Sequence, residues 1–219
     1  MAVQPTDIRV EQAGKNDIPQ IAALFTSSFR ESVLHHCGKI PKPQAMEDVF
    51  SLVWEAEPAA AFIARTASGV TVGYCFAPVR LSALWMRSIL HGHIIKWAWR
   101  WLTGQYGFGF YPVKIIVINK LLFLHSSVQP TQAANARILS IAVDDPWRGK
   151  GVAGAMMAKA MDYFTVNKVV RARLEVRPDN TPALRVYEKY GFVPAGKTRD
   201  SQGEWLIMFK EMEHNSCSI

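Results

Sequence analysis

Apolar side chains return every three or four positions in the first fifty residues, then every second position, and the change of period divides the chain into elements. "NDIPQIAALFTSSF" opens on Asp17, places Pro19 in a first turn and sets Ile21, Leu24 and Phe25 on one face, predicting an amphipathic helix. "PQAMEDVFSLVW" repeats the pattern, with Met46, Val49, Phe50 and Val53 as its apolar stripe. "AAAFIART" and "VTVGYCFA" are short β-prone runs joined by "ASG", the signature of a hairpin. A later strand, "ARILSIAV", ends at Val143. It is followed by a helix over about 149–166, a strand "RARLEVR", a helix over about 181–190 and final strands in "GFVPAG" and "EWLIMFKEM". This order predicts the α/β class, a mixed and mostly antiparallel central sheet flanked by helices. A chain of 219 residues suits one domain over 1–219.

One stretch breaks the pattern. From Pro58 through Val143 there is no Asp or Glu, while Arg65, Arg80, Arg87, Lys96, Arg100, Lys114, Lys120 and Arg137 fall inside it. Four of the seven tryptophans, Trp85, Trp97, Trp99 and Trp101, lie close together there. Residues of about 81–136 therefore read as an apolar and basic insertion. Arg87, Lys96 and Arg100 among Trp85, Ile89, Leu90, Ile94, Trp97 and Trp101 describe a basic helix with an aromatic face. Such a helix can lie on an anionic membrane through residues 81–125, dock on the sheet or close a homodimer, and packing is the better supported of these because large exposed apolar patches are rare on monomers.

The densest chemistry lies in "DDPWRGKGVAGAMMAKAMDYF", residues 144–164. Gly149, Gly151 and Gly154 formally match the dinucleotide fingerprint, but five residues, Asp144 to Arg148, separate the strand from the first glycine, where that fingerprint needs a tight turn. No Lys-Ser or Lys-Thr closes a phosphate-loop motif either. Arg148 followed by Gly149, Lys150, Gly151, Val152 and Ala153 gives a third reading: unpaired N–H groups at a helix start, the positive end of its dipole and two added cations form a pyrophosphate site. This motif resembles that of the GNAT superfamily of acetyl-CoA-dependent N-acetyltransferases. The resemblance implies that Arg148 to Gly154 grip the coenzyme A pyrophosphate, and that the Ile141, Ala142 and Val143 backbone pairs with the pantetheine arm as an added strand would.

"LEVRPDNTPALRVYEKYGF", residues 174–192, extends the resemblance, especially to the enzymes that acetylate ribosomal-protein N-termini; together the motifs cover 138–211. Their pattern is matched by Glu175, Asn180, Tyr187, Gly191 and Phe192. Acetylation needs a neutral amine, so the resemblance makes Glu175 the proton acceptor, Tyr187 the donor toward the departing thiolate and the Val143 N–H the group that polarises the acetyl carbonyl. Each residue also has a plainer reading. Glu175 can pair with Arg173 or Arg177, Tyr187 can fill the core, and Asn180 can cap its helix rather than touch coenzyme.

The implied activity is transfer of acetyl from acetyl-CoA to a primary amine, on a small molecule or a peptide N-terminus, in a ternary complex. Two alternatives remain open: a longer acyl chain from acyl-CoA or a carrier protein, or coenzyme binding without catalysis. A formal net charge of +7 favours acidic ligands without choosing one. No nucleic-acid module is evident, so nucleic acid is not expected. His91 and His93 are two apart, which points them to different sides of a helix, and no metal is expected. Three unpaired cysteines and the lack of a signal-like start indicate a cytoplasmic protein, membrane-associated only if the insertion makes it so.

Overall fold

The computed structural model describes residues 8–80, 93–107, 109, 134 and 136–212. Their order is β1 (Ile8–Gln12), α1 (Ile18–Ser28), α2 (Arg30–Cys37), α3 (Pro43–Ala56), β2 (Ala61–Thr66), β3 (Thr71–Phe76), α4 (His93–Leu102), β4 (Ala136–Arg137), β5 (Ser140–Val143), α5 (Val152–Val166), β6 (Arg171–Val176), α6 (Thr181–Lys189), β7 (Val193–Asp200) and β8 (Gly203–Glu211). The strands form two four-stranded sheets, β1-β2-β3-β5 and β4-β6-β8-β7. Every pairing is antiparallel except β4 with β6. The expected mixed sheet flanked by helices is therefore the observed architecture, with one division through its middle.

That division falls inside the expected single strand "ARILSIAV". Its start pairs with β6, Arg137 opposite Arg173, and its end pairs with β3, Val143 opposite Gly73. Between them the Leu139 N–H donates to Phe76 O at 2.8 Å while Ser140 is also the register partner of Phe76. Two residues opposite one make a β-bulge, which bends a strand and re-aims the residues beyond it. From the bulge onward β5 keeps β3 as its partner and leaves β6, so the two sheets diverge.

Apolar side chains pack on both faces. On one, Met156, Met157, Ala160 and Phe164 of α5 join Val72 and Cys75 of β3, Leu174 and Val176 of β6, and Tyr187 of α6 in one buried cluster. On the other, Ile21 and Leu24 of α1 and Phe50 of α3 cover Ile63, Tyr74, Phe76 and Ala142. Phe50 stacks on Phe76 at 5.6 Å and meets Tyr74 edge-on at 5.7 Å, geometries that add to plain burial.

Several expectations need correction. The α3 stripe was to hold Val49, but Val49 is exposed, while Ala45, Asp48 and Leu52 are buried with Phe50. The reason is that α3 has two covered sides, one facing the sheet and one facing the insertion. Lys96 and Arg100 of α4 reach Asp48 at 3.1 and 2.6 Å, and the Tyr106 hydroxyl donates to the same carboxylate at 2.7 Å. Burial alone would raise Asp48; the hydrogen bonds from Tyr106, Arg100 and Lys96 overcome it and hold the carboxyl below its ordinary value. His93 lies 3.0 Å from Glu55, another α3 residue. Helix α4 thus docks on α3 by its basic side, with Ile95, Trp99 and Leu102 outward, and Trp97 and Trp101 half-buried. Trp85, Arg87, Ile89 and Leu90, on which the membrane and dimer readings also lean, lie outside the described residues, as do His91, Lys114 and Lys120. No helix among the described residues is long and apolar enough to cross a membrane. Two elements, β1 and α2, were not foreseen. Only Ile8 and Val10 of β1 turn to the core, too short an alternation to read.

Candidate active site

The diverging strands leave a gap, and the backbone along its β5 edge is the first part of the site. The Asp144 N–H donates to Val72 O at 2.9 Å, and in an antiparallel ladder successive residues turn their polar groups to opposite sides. Ala142, two positions back, therefore directs its backbone to β3, whereas Ile141 and Val143 direct theirs into the gap. Arg148 bears this out, since its Nε donates to Val143 O at 3.1 Å.

The gap runs into the start of α5. Gly149 and Gly151 adopt left-handed φ of 73° and 82°, which is why the helix begins at Val152 rather than at 149. A Cβ at either glycine would meet nothing within 4 Å, so the turn is open on its outer side. Gly151 is the N-cap and no side chain caps it, leaving the first-turn N–H groups of Val152, Ala153 and Gly154 without intrahelical partners. Arg148 pairs with Asp145 at 2.6 Å and Lys150 lies 4.9 Å over the Trp147 ring, so both cations flank this start. Tyr190 closes the inner side, its hydroxyl donating to Gly154 O at 2.6 Å.

Glu175 and Tyr187 lie on opposite faces of the sheet. Ala172, Leu174 and Val176 of β6 face α5, so Arg171, Arg173 and Glu175 face the α1 side. The parallel register places Arg137 beside Arg173 on that same face. Arg173 comes within 2.6 Å of Glu175 and Arg137 within 3.3 Å, and both closest approaches are to Oε1. The pairing with Arg173 was foreseen as the plainer reading; Arg177 instead lies 3.7 Å from Asp200 and 4.1 Å over the Trp205 ring. Arg137 was not read as part of the site, because only the β4–β6 register brings it there.

Tyr187 is buried on the α6 side, where it packs at 6.3 Å from the Phe192 ring. Burial, with a smaller contribution from Cys75, raises its phenol above the ordinary tyrosine value. Burial likewise pushes the Cys75 thiol up to about 12. Asn180 caps α6, its Oδ1 accepting the Ala183 N–H at 3.2 Å. Among the described residues no group of three or more metal-binding side chains comes together.

The Acetyltransferase (GNAT) family profile matches residues 19–192. The chain belongs to the GNAT acetyltransferase family. A mycothiol acetyltransferase of Brachybacterium faecium is 38% identical over 63 residues, 29% of this chain and 19% of that protein. An L-amino acid N-acetyltransferase of Escherichia coli is 43% identical over 53 residues, 24% of this chain and 33% of that one. The aligned stretch thus spans well under two thirds of either relative. The GNAT fold extends further than these stretches: the yncA structure from Salmonella typhimurium, solved with its cofactor acetyl-CoA, superposes with a TM-score of 0.59 at 10% identity, over 96% of both chains.

Proposed function

We propose that this GNAT protein transfers the acetyl group of acetyl-CoA to a primary amine by direct attack in a ternary complex. The observation that carries the reading is the gap opened by the Leu139–Ser140 bulge, edged by the inward-turned backbone of Ile141 and Val143 and ending at the uncapped start of α5. A pantetheine arm is a chain of amides that can pair with such an edge, and a pyrophosphate fits free N–H groups at a helix start. The role of Ala142 is then to hold the edge on β3.

The proposed chemistry runs across the gap. The amine enters from the α1 side, its nitrogen attacks the thioester carbonyl, and the Val143 N–H supports the developing oxyanion. Before the attack the ammonium form gives one proton to Glu175, directly or through water, and as the carbon–sulfur bond breaks the nitrogen releases its second proton to solvent. The thiolate leaves on the α6 side, where Tyr187 stands. A phenol raised above its ordinary value of about 10 does not yield its proton to a thiolate whose conjugate thiol titrates near about 8.5. Tyr187 therefore stabilises the thiolate by a hydrogen bond, and solvent completes the thiol. The Asn180 side chain serves the helix cap and touches coenzyme only through its exposed edge.

Calorimetry with coenzyme A and acetyl-CoA, followed by thiol-release assays against amino acids, amino sugars, polyamines and short peptides, tests both halves. Binding with release is the expected result. Binding without release across the panel leaves a coenzyme-binding protein that does not catalyse, and an absence of binding overturns the assignment.

A further inference from the structure

We propose that the acceptor carries a carboxylate close to its amine, held by the Arg137 and Arg173 guanidinium pair beside Glu175. This rests on the acetyl-transfer reading and adds the class of acceptor. Two cations and one anion converge at this point, leaving an excess positive charge. The neighbouring charges do not cancel it: Arg171 is paired with Glu211, and Arg177 with Asp200.

The burial pattern sharpens the argument. The Nε atoms of both Arg137 and Arg173 are sequestered from solvent without a hydrogen-bond partner, yet the two side chains as wholes retain 28% and 20% exposure. A buried donor left unmatched is costly, so each of these calls for a partner that the folded chain does not supply. Burial pulls the Arg137 guanidinium below the usual arginine range; Glu175 opposes this, and Arg173 adds a smaller effect in the direction of burial. With two guanidiniums on one carboxylate, the cluster keeps one positive charge that a second carboxylate would neutralise. Guanidinium is the side chain best shaped for that partner, since its planar fork matches a carboxylate.

Position decides where the carboxylate sits on the acceptor. The guanidiniums touch the same carboxyl group that takes the amine proton, so the anionic group and the nucleophile must be near neighbours, as in an α-amino acid. Leu139, next on the Arg137 face of the strand, packs against the buried cluster under α1, as Phe25 and Phe29 do, and these apolar residues offer a surface for a side chain.

Thiol release is compared for several free α-amino acids and their carboxamides. The carboxamide amine is the less basic and so the more readily available nucleophile, which means that a preference for the free acid cannot arise from amine reactivity. The free acids are expected to show a kcat/KM at least about tenfold higher, carried by KM. Arg173→Gln and Arg137→Gln should each bring the ratio of acid to carboxamide toward one, with the lysine replacements intermediate. The ratio is the readout because losing either guanidinium also alters the surroundings of Glu175, which affects both substrates alike. Equal or better use of carboxamides by the unaltered protein, or a ratio unmoved by both glutamine variants, overturns the inference alone. No release with any amine despite acetyl-CoA binding overturns the transfer reading and this inference together.

Discussion

The two flanks of the gap are made of different material. The proposed coenzyme flank is backbone: the edge of β5, two left-handed glycines and the bare start of α5, with Arg148 and Lys150 at its rim. The proposed acceptor flank is side chain: Glu175 with Arg137 and Arg173 on its carboxylate. Backbone recognition constrains conformation and tolerates almost any residue that adopts it, so it needs glycine at a few points and a motif of fixed spacing. Side-chain recognition depends on which residues a register brings together, and its parts lie far apart in the chain. The difference predicts that the flanks fail separately, through acceptor chemistry on one and coenzyme affinity on the other.

The largest effect is expected at Glu175. Replacement by Gln keeps the size of the side chain and removes the proton acceptor, so kcat/KM should fall by about 10²–10⁴-fold near neutral pH. As pH rises and the free amine becomes abundant, the variant should recover part of this loss while acetyl-CoA affinity stays as it was. A deficit that is constant across pH makes the Arg137–Glu175–Arg173 cluster a structural ion-pair group.

Tyr187→Phe comes next, with a decrease of about 10²-fold in kcat and little change in acetyl-CoA affinity, since only the departing thiolate uses the hydroxyl. The pH dependence has a definite sign. Because burial raises the Tyr187 phenol, its protonated form persists above the ordinary value of about 10, so ionisation of this group should not depress turnover below that pH. A kcat that falls between pH 8 and 10 in the unaltered protein but not in the variant would contradict the hydrogen-bond role.

The same difference between backbone and side chain explains what could be read from the amino-acid order. The glycine turn, Glu175 and Tyr187 stand in compact local motifs, and α1, α3, the β2–β3 hairpin, α5, β6 and α6 follow from periodicity and their proline or glycine boundaries. The bulge at Leu139–Ser140 does not: "ARILSIAV" is apolar enough for one continuous strand, and only its two competing partners divide it. Arg137 was counted only among the basic residues of the acid-free span from Pro58 through Val143, although its neighbour in space is Arg173. The side of α4 that meets α3 was hidden for a related reason. Its basic residues are satisfied by Asp48 and Glu55, which precede them by some forty residues or more, so charge rather than apolar periodicity fixes the docking face. Helix α2 is tied down in the same long-range way, Ser32 donating to Gln202 and His35 meeting Ser201, each at 2.8 Å.

The smallest effect tests the coenzyme flank alone. Gly151 has a φ of 82°, and a Cβ added there meets no atom within 4 Å, so Gly151→Ala introduces no clash. The remaining cost is the preference of an L-residue against the left-handed region, about 1–2 kcal/mol. Relaxing that strain rotates the peptide planes that aim the first-turn N–H groups outward. Acetyl-CoA affinity measured by calorimetry should therefore weaken about tenfold, the equivalent of about 1.4 kcal/mol, while the KM for the amine and its pH profile stay unchanged. Unaltered coenzyme affinity with a raised amine KM reverses the assignment of the two flanks. A loss confined to coenzyme affinity shows that this flank recognises its ligand through backbone conformation, independently of the charges that select the acceptor.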